Sequence, residues 1–227
     1  LEPVDGLLVN AGTVRVRGVA EPRIRVNLLR NNRLVGFVPA SASGQFEFMG
    51  FPLVEGVNRV VAQAVDVVGI SDSPAVSVVR DTGAPGGLVW GEPVYQPGVG
   101  LTLVWEFAPE GERASEFQVL WGSEPFETPE AAAVASERIS PLRYVVRGLP
   151  DGVAYFGVVG FDTAGNRGPL SELLEVRTDT RPPVLSLTFD AASPAGVGEV
   201  GVVLASNEAL KQAPTLTATS PGGGPVP

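Results

Sequence analysis

Oxygen-bearing side chains recur where apolar runs of this sequence end. Asp66 begins the segment Asp-Val-Val-Gly, and Asp162 begins Asp-Thr-Ala-Gly-Asn, which closes at Asn166. Carboxylate and amide oxygens suit calcium, so these residues could bind that ion between domains. Aspartate and asparagine at such positions also bond to nearby backbone while glycine supplies a positive φ, and this turn interpretation is favoured. Further carboxylates that could join a calcium site are Asp72, Asp81 and Asp179.

Four glutamates, Glu106, Glu110, Glu112 and Glu116, raise the possibility of a glycosidase pair. Such pairs need carboxylates that face each other about 5–10 Å apart in a cleft. A solvated acidic loop is therefore the favoured interpretation.

Tryptophans offer another possible chemistry, since Trp90 and Trp121 could stack on a sugar ring. Trp105 and Trp121, however, occupy alternating positions of apolar runs, which favours a place in or over a hydrophobic core. We expect the core role.

The chain has no cysteine and no histidine. This excludes disulfides and thiolate chemistry, and it removes the commonest general base and metal ligand. There is also no Gly-x-Ser-x-Gly segment, the nucleophile motif of many hydrolases. We therefore assign no catalytic, cofactor-binding or metal-binding residues and predict a protein that is not an enzyme and uses no cofactor.

A net charge of −9 limits the partners. Such a surface repels the phosphate backbone, so no nucleic acid is expected as a partner. No run of about 18 apolar residues is present, so no direct membrane insertion is expected. Any export signal or anchor is expected to lie outside these residues.

Two similar segments divide the chain at a regular distance. Asp-Thr-Gly-Ala-Pro starts at Asp81 and Asp-Thr-Arg-Pro-Pro starts at Asp179, 98 residues later, each just after an apolar run. Asp66 and Asp162, 96 residues apart, support the same period. About 100 residues is the size of one immunoglobulin-like sandwich, and proline stiffens the chain between two domains. The sequence thus predicts an all-β fold of tandem immunoglobulin-like β-sandwiches arranged as an elongated rod.

The predicted first domain, residues 1–83, alternates polar and apolar residues, as half-buried strands do. The strands expected from this pattern are 13–18, 23–28, 34–38, 44–49, 58–66 and 75–80. Four segments together resemble bacterial immunoglobulin-like domains: Asn31-Asn32, Gly44-Gln45-Phe46, Leu53–Asn58 and Asp66–Gly69. The resemblance implies a spacer or adhesive module.

The predicted second domain, residues 84–181, has expected strands at 101–105, 117–121, 143–147 and 155–161. Trp105, together with Leu149 and Tyr155 six residues later, resembles the fibronectin type III pattern. That resemblance implies a core tryptophan and a tyrosine corner, in which the phenol hydroxyl bonds to backbone. Between the strands, residues 125–136 have helix propensity and a proline suited to a first turn, which predicts a short helical insert.

The predicted third domain, residues 182–227, is too short for a seven-stranded sandwich. Strands are expected at 184–189, 200–206 and 216–219, and residues 221–227, with their three glycines, are expected to form a flexible end. Ser206–Leu210 and Pro214–Leu216 resemble the start of another bacterial immunoglobulin-like domain.

These features predict a structural, spacer or adhesive module of a bacterial surface or secreted multidomain protein. The expected location is extracellular or on the cell surface, and the expected partners are a protein or glycan there or other domains of the same protein. Accessory, non-catalytic modules of a large extracellular hydrolase or toxin are the alternative. Unpaired edge strands could add a strand from another chain, most readily in the incomplete third domain.

Overall fold

A computed structural model describes residues 2–96, 98–179, 181–190 and 200–217. The chain divides into two compact units, Leu1–Thr178 and Asp179–Pro227. Nearly all of the regular structure is β-strand, which confirms the predicted all-β class. The elongated arrangement and the domain boundaries drawn from the sequence stay predictions.

Eight strands of the described chain form the first sandwich, in the region where the sequence alternates polar and apolar residues. They are β1 (Leu7–Val9), β2 (Thr13–Val19), β3 (Arg25–Arg30), β4 (Arg33–Pro39), β5 (Gln45–Pro52), β6 (Gly56–Val65), β7 (Ile70–Asp72) and β8 (Val76–Arg80).

The two sheets of this sandwich are unequal. One has six strands in the order β1-β8-β6-β3-β4, with β7 pairing to β6 beyond the end of β8, whereas the other consists of β2 and β5 alone. The pairing of β1 with β8 is parallel, and the other pairings are antiparallel. The predicted strands are found close to their expected positions, but β1 and β7 were not expected.

Inward positions of both sheets build the core of the first sandwich. Val26 and Leu28 on β3 lie opposite Ala64 and Ala62 on β6, so these four share the inner face. The buried members of the core are Val16, Val26, Leu28, Ala40, Phe46, Phe51, Leu53, Val60 and Val78.

The second sandwich follows in the same unit, with eight strands among the described residues. They are β9 (Leu88–Trp90), β10 (Val94–Gln96), β11 (Gly100–Phe107), β12 (Glu116–Gly122), β13 (Ala133–Val134), β14 (Arg143–Val146), β15 (Gly152–Phe161) and β16 (Leu174–Thr178). One four-stranded sheet has the order β10-β11-β14 with β9 pairing to β11, and the other has the order β13-β12-β15-β16.

Aromatic side chains dominate the core between these two sheets. Trp105 is fully buried, and its ring meets Trp90 edge-on with 6.0 Å between centroids and Phe117 with 5.6 Å. Phe156 and Val158 on β15 complete the opposite wall. The prediction of Trp105 as a core residue is confirmed.

The outer face of the β13-β12-β15-β16 sheet is also covered. Leu120, Phe126, Val159 and Phe161 form a second buried cluster, which we call the outer cluster. Phe126 reaches it from the segment after β12, a segment that carries a 3₁₀ helix at Pro129–Ala131. The helical insert is thus confirmed as a single short turn that begins at a proline.

The same insert departs from its predicted helix after that turn. Ala133 and Val134 form β13 instead, because they pair with Trp121 and Leu120 of β12. Pairing to an existing strand outweighs the helix propensity of alanine, which is a weak preference.

The second unit contains an antiparallel hairpin of β17 (Leu185–Phe189) and β18 (Val202–Ser206). Leu187 lies opposite Leu204, and Phe189 opposite Val202, so one face of the hairpin is apolar. These side chains are substantially exposed. Among the described residues, Leu216 and Thr217 lie outside any strand, contrary to expectation. The rest of that predicted strand and the segment 221–227 lie outside the described residues.

Candidate functional sites: turns, aromatic positions and the joint

The two aspartates proposed as calcium ligands instead close turns. Asp66 Oδ1 accepts hydrogen bonds from the backbone N–H groups of Val68 at 2.7 Å and Gly69 at 2.8 Å. These bonds hold the pKa of Asp66 below its usual value because they stabilise the carboxylate. The Asp-x-x-Gly segment that begins at Asp66 therefore forms a turn. The favoured interpretation of the sequence predicted this.

Asp162 is buried, and both of its carboxylate oxygens are bonded to one residue. Oδ1 accepts from the Asn166 backbone N–H at 2.9 Å, and Oδ2 accepts from Asn166 Nδ2 at 2.8 Å. The remaining candidate on a strand, Asp72, accepts from Gln63 Nε2 at 2.9 Å. Within the described ranges, no three acidic, histidine or cysteine side chains come together in a way that could hold a metal ion.

The carboxylates of Asp81 and Asp179 shape the start of each proline-containing segment. Asp81 Oδ1 accepts from the N–H of Gly83 at 2.9 Å, and Asp179 Oδ1 accepts from the N–H of Arg181 at 3.1 Å. The repeated sequence thus has a repeated local geometry, in which the aspartate bonds to the backbone two residues on.

The four glutamates considered for glycoside hydrolysis lie on two strands, β11 and β12, and in the segment between them. Glu106, Glu110 and Glu112 are exposed. Glu116 lies 3.7 Å from Arg138 in a half-exposed ion pair. The solvated acidic loop is confirmed for Glu110 and Glu112, whereas Glu106 and Glu116 lie on strands β11 and β12.

The tryptophans considered for sugar stacking pack against the core. Trp90 Nε1 donates to the backbone oxygen of Glu172 at 2.8 Å, and its ring lies against Trp105. Trp121 is half-buried and also contacts the core. It lines a cleft of about 280 Å³ together with Tyr144, whose hydroxyl donates to Ala135 O at 2.6 Å. Core packing is thus the main role of both.

The predicted tyrosine corner is wrong. Tyr155 lies directly opposite Glu175 on β16 and packs against the outer cluster, whereas its neighbours Ala154 and Phe156 face the core. Its hydroxyl therefore meets the Glu175 carboxylate rather than backbone. Partial burial, and then that carboxylate, raise the pKa of Tyr155 above its ordinary value.

The segment that joins the two sandwiches, residues 81–86, is bonded to both of them. On the first sandwich, Glu55 accepts from the Thr82 backbone N–H at 2.9 Å and from the Thr82 hydroxyl at 3.1 Å. On the second, Asn166 Nδ2 donates to Asp81 O at 2.9 Å, and Gly86 N donates to Glu112 O at 2.8 Å. We call this segment the joint.

Close packing reinforces the joint. Pro85 is buried, and it lies so near Gly168 that a Cβ on that glycine would stand 2.9 Å from the Pro85 carbonyl oxygen. Glycine at this position therefore permits the approach of the two chain segments. Sequence reasoning identified Asn166 as a turn or calcium residue but missed its bond to the joint, which connects residues 85 positions apart.

The first sandwich has the larger cleft, of about 610 Å³, at one end of the space between its sheets. Acidic side chains on its wall are Glu21, Asp66 and Asp72. None of the residues that line it is basic.

Comparison with solved structures finds domains of the same kind at low similarity. Fibronectin(III)-like modules of CbhA from Clostridium thermocellum share 17% identity, with 78% of this chain and 90% of that chain covered and a TM-score of 0.45. The FN1–FN3 domains of chicken CNTN1 share 12%, covering 78% and 63%, with a TM-score of 0.46. A set of titin domains shares 14%, covering 75% and 61%, also at 0.46. This chain thus spans less than two thirds of the last two.

The fold assignment rests on strand order and core packing, since all three TM-scores are below 0.5. Two sheets that face each other across a core define the class: the chain contains β-sandwiches of the immunoglobulin and fibronectin III-like kind. No family model matches the chain, and no curated protein does. Among the described residues, no helix is long and apolar enough to cross a membrane.

Proposed function

We propose that this chain is a non-catalytic structural and adhesive segment of a bacterial surface or secreted protein. It holds β-sandwiches in sequence and presents them for contact with a protein or glycan at the cell surface or with other domains of its own protein. A surface of net charge −9 does not favour nucleic acid.

The main support for this proposal is the bonding of the joint to both sandwiches. A flexible linker between domains is a polar or glycine-rich segment whose backbone is solvated. Here the side chains of Glu55 and Asn166 bond to the joint from either side, and Pro85 is buried. A segment that is bonded to both sandwiches restricts their relative motion. A spacer needs this restriction, whereas a flexible tether does not.

The restriction is tested by Asn166→Ala in the complete chain. This change removes the two bonds that Asn166 Nδ2 donates, to Asp81 O and to Asp162 Oδ2, and keeps the backbone bond to Asp162, and we expect it to cost about 1–2 kcal/mol of stability. In the unchanged protein, nuclear spin relaxation should give the first and second sandwiches the same rotational correlation time. In the variant the two values should separate.

Asn27→Ala is the matched control, because Asn27 bonds only to side chains on the first sandwich, those of Arg25 and Gln63. It should leave the two correlation times equal. If the sandwiches of the unchanged protein already tumble independently, the spacer proposal is wrong. Catalytic turnover by the purified chain would contradict the non-enzymatic part.

A further inference from the structure

Four polar side chains lie together on the outer face of the six-stranded sheet. The residues on either side of Asn27 in β3 belong to the core, so the side chain of Asn27 itself points outward. Asn27 lies opposite Gln63 of β6, and Gln63 lies opposite Asp72 of β7. Arg25, two positions before Asn27, is on the same face of β3. We call these four residues the polar row.

Consecutive members of the polar row are joined by hydrogen bonds between their side chains. Arg25 Nε donates to Asn27 Oδ1 at 2.8 Å, and Asn27 Nδ2 donates to Gln63 Oε1 at 3.1 Å. Gln63 Nε2 then donates to Asp72 Oδ1 at 2.9 Å. Bonds between two side chains make up only about 10–15% of the hydrogen bonds in a folded protein. Three of them in succession hold these side chains in fixed orientations.

The bonds within the polar row leave donors and acceptors for a ligand. They do not use the two terminal nitrogens of Arg25 or the second oxygen of Asp72. Each of the two amides keeps one N–H and one oxygen lone pair. A hydroxyl group also both donates and accepts, so adjacent hydroxyls of a sugar ring complement a planar amide.

An aromatic ring lies beside the polar row on β4. Phe37 is opposite Asn27 and is 56% exposed. The Arg25 guanidinium lies over this ring, 3.9 Å from its centroid, so the ring helps to position the charged end of the row. The exposed part of the ring is apolar surface next to hydrogen-bonding groups. Sugars combine apolar C–H faces with hydroxyls, and this surface offers a contact for both.

Charge and length restrict the ligand further. The row has a cation at the Arg25 end and a carboxylate at the Asp72 end, so its charges cancel. An extended polyanion would meet Asp72 and a chain of net charge −9, whereas an extended basic peptide would meet Arg25. From Phe37 on β4 to Asp72 on β7 the site crosses four strands, or about 14 Å at the usual strand spacing. This is longer than one sugar ring.

We propose that the polar row and Phe37 form a binding site for a neutral glycan whose sugar residues lie along the row, across the strands. Hydroxyls of the glycan bond to the outward donors and acceptors of Asn27 and Gln63, and a ring face packs on Phe37. Because the row is already ordered, binding immobilises few side chains. The proposal gives a ligand class to the contact role proposed above and rests on that role.

The probes are four neutral hexasaccharides, cellohexaose, maltohexaose, mannohexaose and N-acetylchitohexaose, each added to the complete chain. At least one should bind with a Kd below about 1 mM and shift the NMR signals of the Asn27 and Gln63 side-chain amides. Binding should be equal at low and high salt, because the ligand has no charge to screen. Failure of all four would overturn the proposal. Binding that shifts the Trp121 indole signal but neither amide would do so as well.

Two variants test the site with the hexasaccharide that binds best. Gln63→Ala removes the middle of the polar row and should weaken binding at least about tenfold. Phe37→Leu keeps an apolar side chain but removes the ring, and it should weaken binding severalfold. Gln45→Ala is the matched control, since Gln45 is an exposed glutamine on β5 of the opposite sheet, and it should leave binding unchanged. Unchanged affinity in both test variants would contradict the proposal.

The glycan site and the spacer role are measured separately. Neither Gln63 nor Phe37 bonds to the joint, so their variants should leave the correlation times of the two sandwiches equal. A chain whose sandwiches tumble together but which binds none of the hexasaccharides would retain the spacer role and lose the glycan site. Independent tumbling with normal glycan binding would give the reverse result.

Discussion

The two sandwiches of the first unit fill the space between their sheets in different ways. In the second, Trp105 meets Trp90 and Phe117 in edge-on contacts, so large rings occupy the interior. In the first, alanines at positions 62 and 64 face the interior of one end and leave it open. Aromatic rings cover much more surface than methyl groups, so the centre of the second sandwich is filled by rings, whereas the first keeps an open cleft at one end.

Strand number explains the same contrast. The first sandwich sets a sheet of six strands against a sheet of only two, which cannot cover it. The second sandwich sets four strands against four. The outer cluster around Phe126 covers the outer face of one of these sheets. Two sheets of equal size can cover each other, whereas a sheet of two strands leaves part of a six-stranded sheet uncovered.

The largest expected effect is on the closed core. Trp105→Ala removes a fully buried ring and its contacts with two other aromatic residues. It should cost about 3–5 kcal/mol of unfolding free energy. Hydrogen exchange should show the loss at the amides of β15, while those of β6 in the first sandwich change much less.

Trp105→Phe separates packing from hydrogen bonding. The indole Nε1 of Trp105 is buried and has no partner among the described residues, so phenylalanine removes an unsatisfied donor while it keeps a ring. This change should cost far less than alanine does. Equal destabilisation by both variants would show that ring packing does not stabilise this core.

The next effect concerns a polar residue that the first sandwich buries completely. Asn58 Oδ1 accepts from the Val54 N–H at 2.8 Å, and Nδ2 donates to the carbonyl oxygens of Val54 at 2.7 Å and Gly56 at 2.9 Å. Asn58→Ala leaves these partly buried backbone groups without their side-chain partner and should cost about 1–3 kcal/mol, measured by denaturant unfolding.

Asn27→Ala serves again as the comparison, because its hydrogen bonds join side chains near the surface. It should cost about 1 kcal/mol at most. If both asparagine variants lose equal stability, burial of Asn58 is not the reason for its effect.

Much of the fold could be predicted from alternation, and the exceptions have physical causes. β2 and β3 alternate in polarity, because one of their faces is solvated, and both were expected. β1 was missed because it has only three residues and pairs with β8, which lies about seventy residues later in the chain. Local periodicity contains no information on such a pairing.

The alternation of polar and apolar residues does not predict the position of Tyr155 within β15. Apolar residues occupy both faces of β15, since one face packs on the core and the other on the outer cluster. Period two then does not decide which face a residue takes, and the tyrosine corner that the fibronectin type III resemblance implied for Tyr155 is not formed. The turn aspartates were predicted correctly because their bonds are local, whereas the bond from Asn166 to the joint depends on tertiary structure.

The smallest expected effect concerns Tyr155 and appears only in alkaline solution. Partial burial and the Glu175 carboxylate raise the pKa of this phenol in the folded protein above the ordinary value of 10.0. The neutral phenol is therefore favoured by folding, and its full contribution is present below pH 10. As the pH rises beyond that value, the unfolded chain loses its proton first, so stability declines until the folded phenol ionises as well.

Tyr155→Phe removes the ionisable group and should flatten this decline in chemical unfolding curves taken across the alkaline range. Glu175→Gln keeps the phenol but removes the nearby charge, so it should flatten the decline only in part, because burial is the larger cause. A decline that is as steep in the phenylalanine variant as in the unchanged protein would mean that the hydroxyl is freely solvated. The outer cluster would then leave this end of its sheet open to water, and the contrast with the open first sandwich would be weaker.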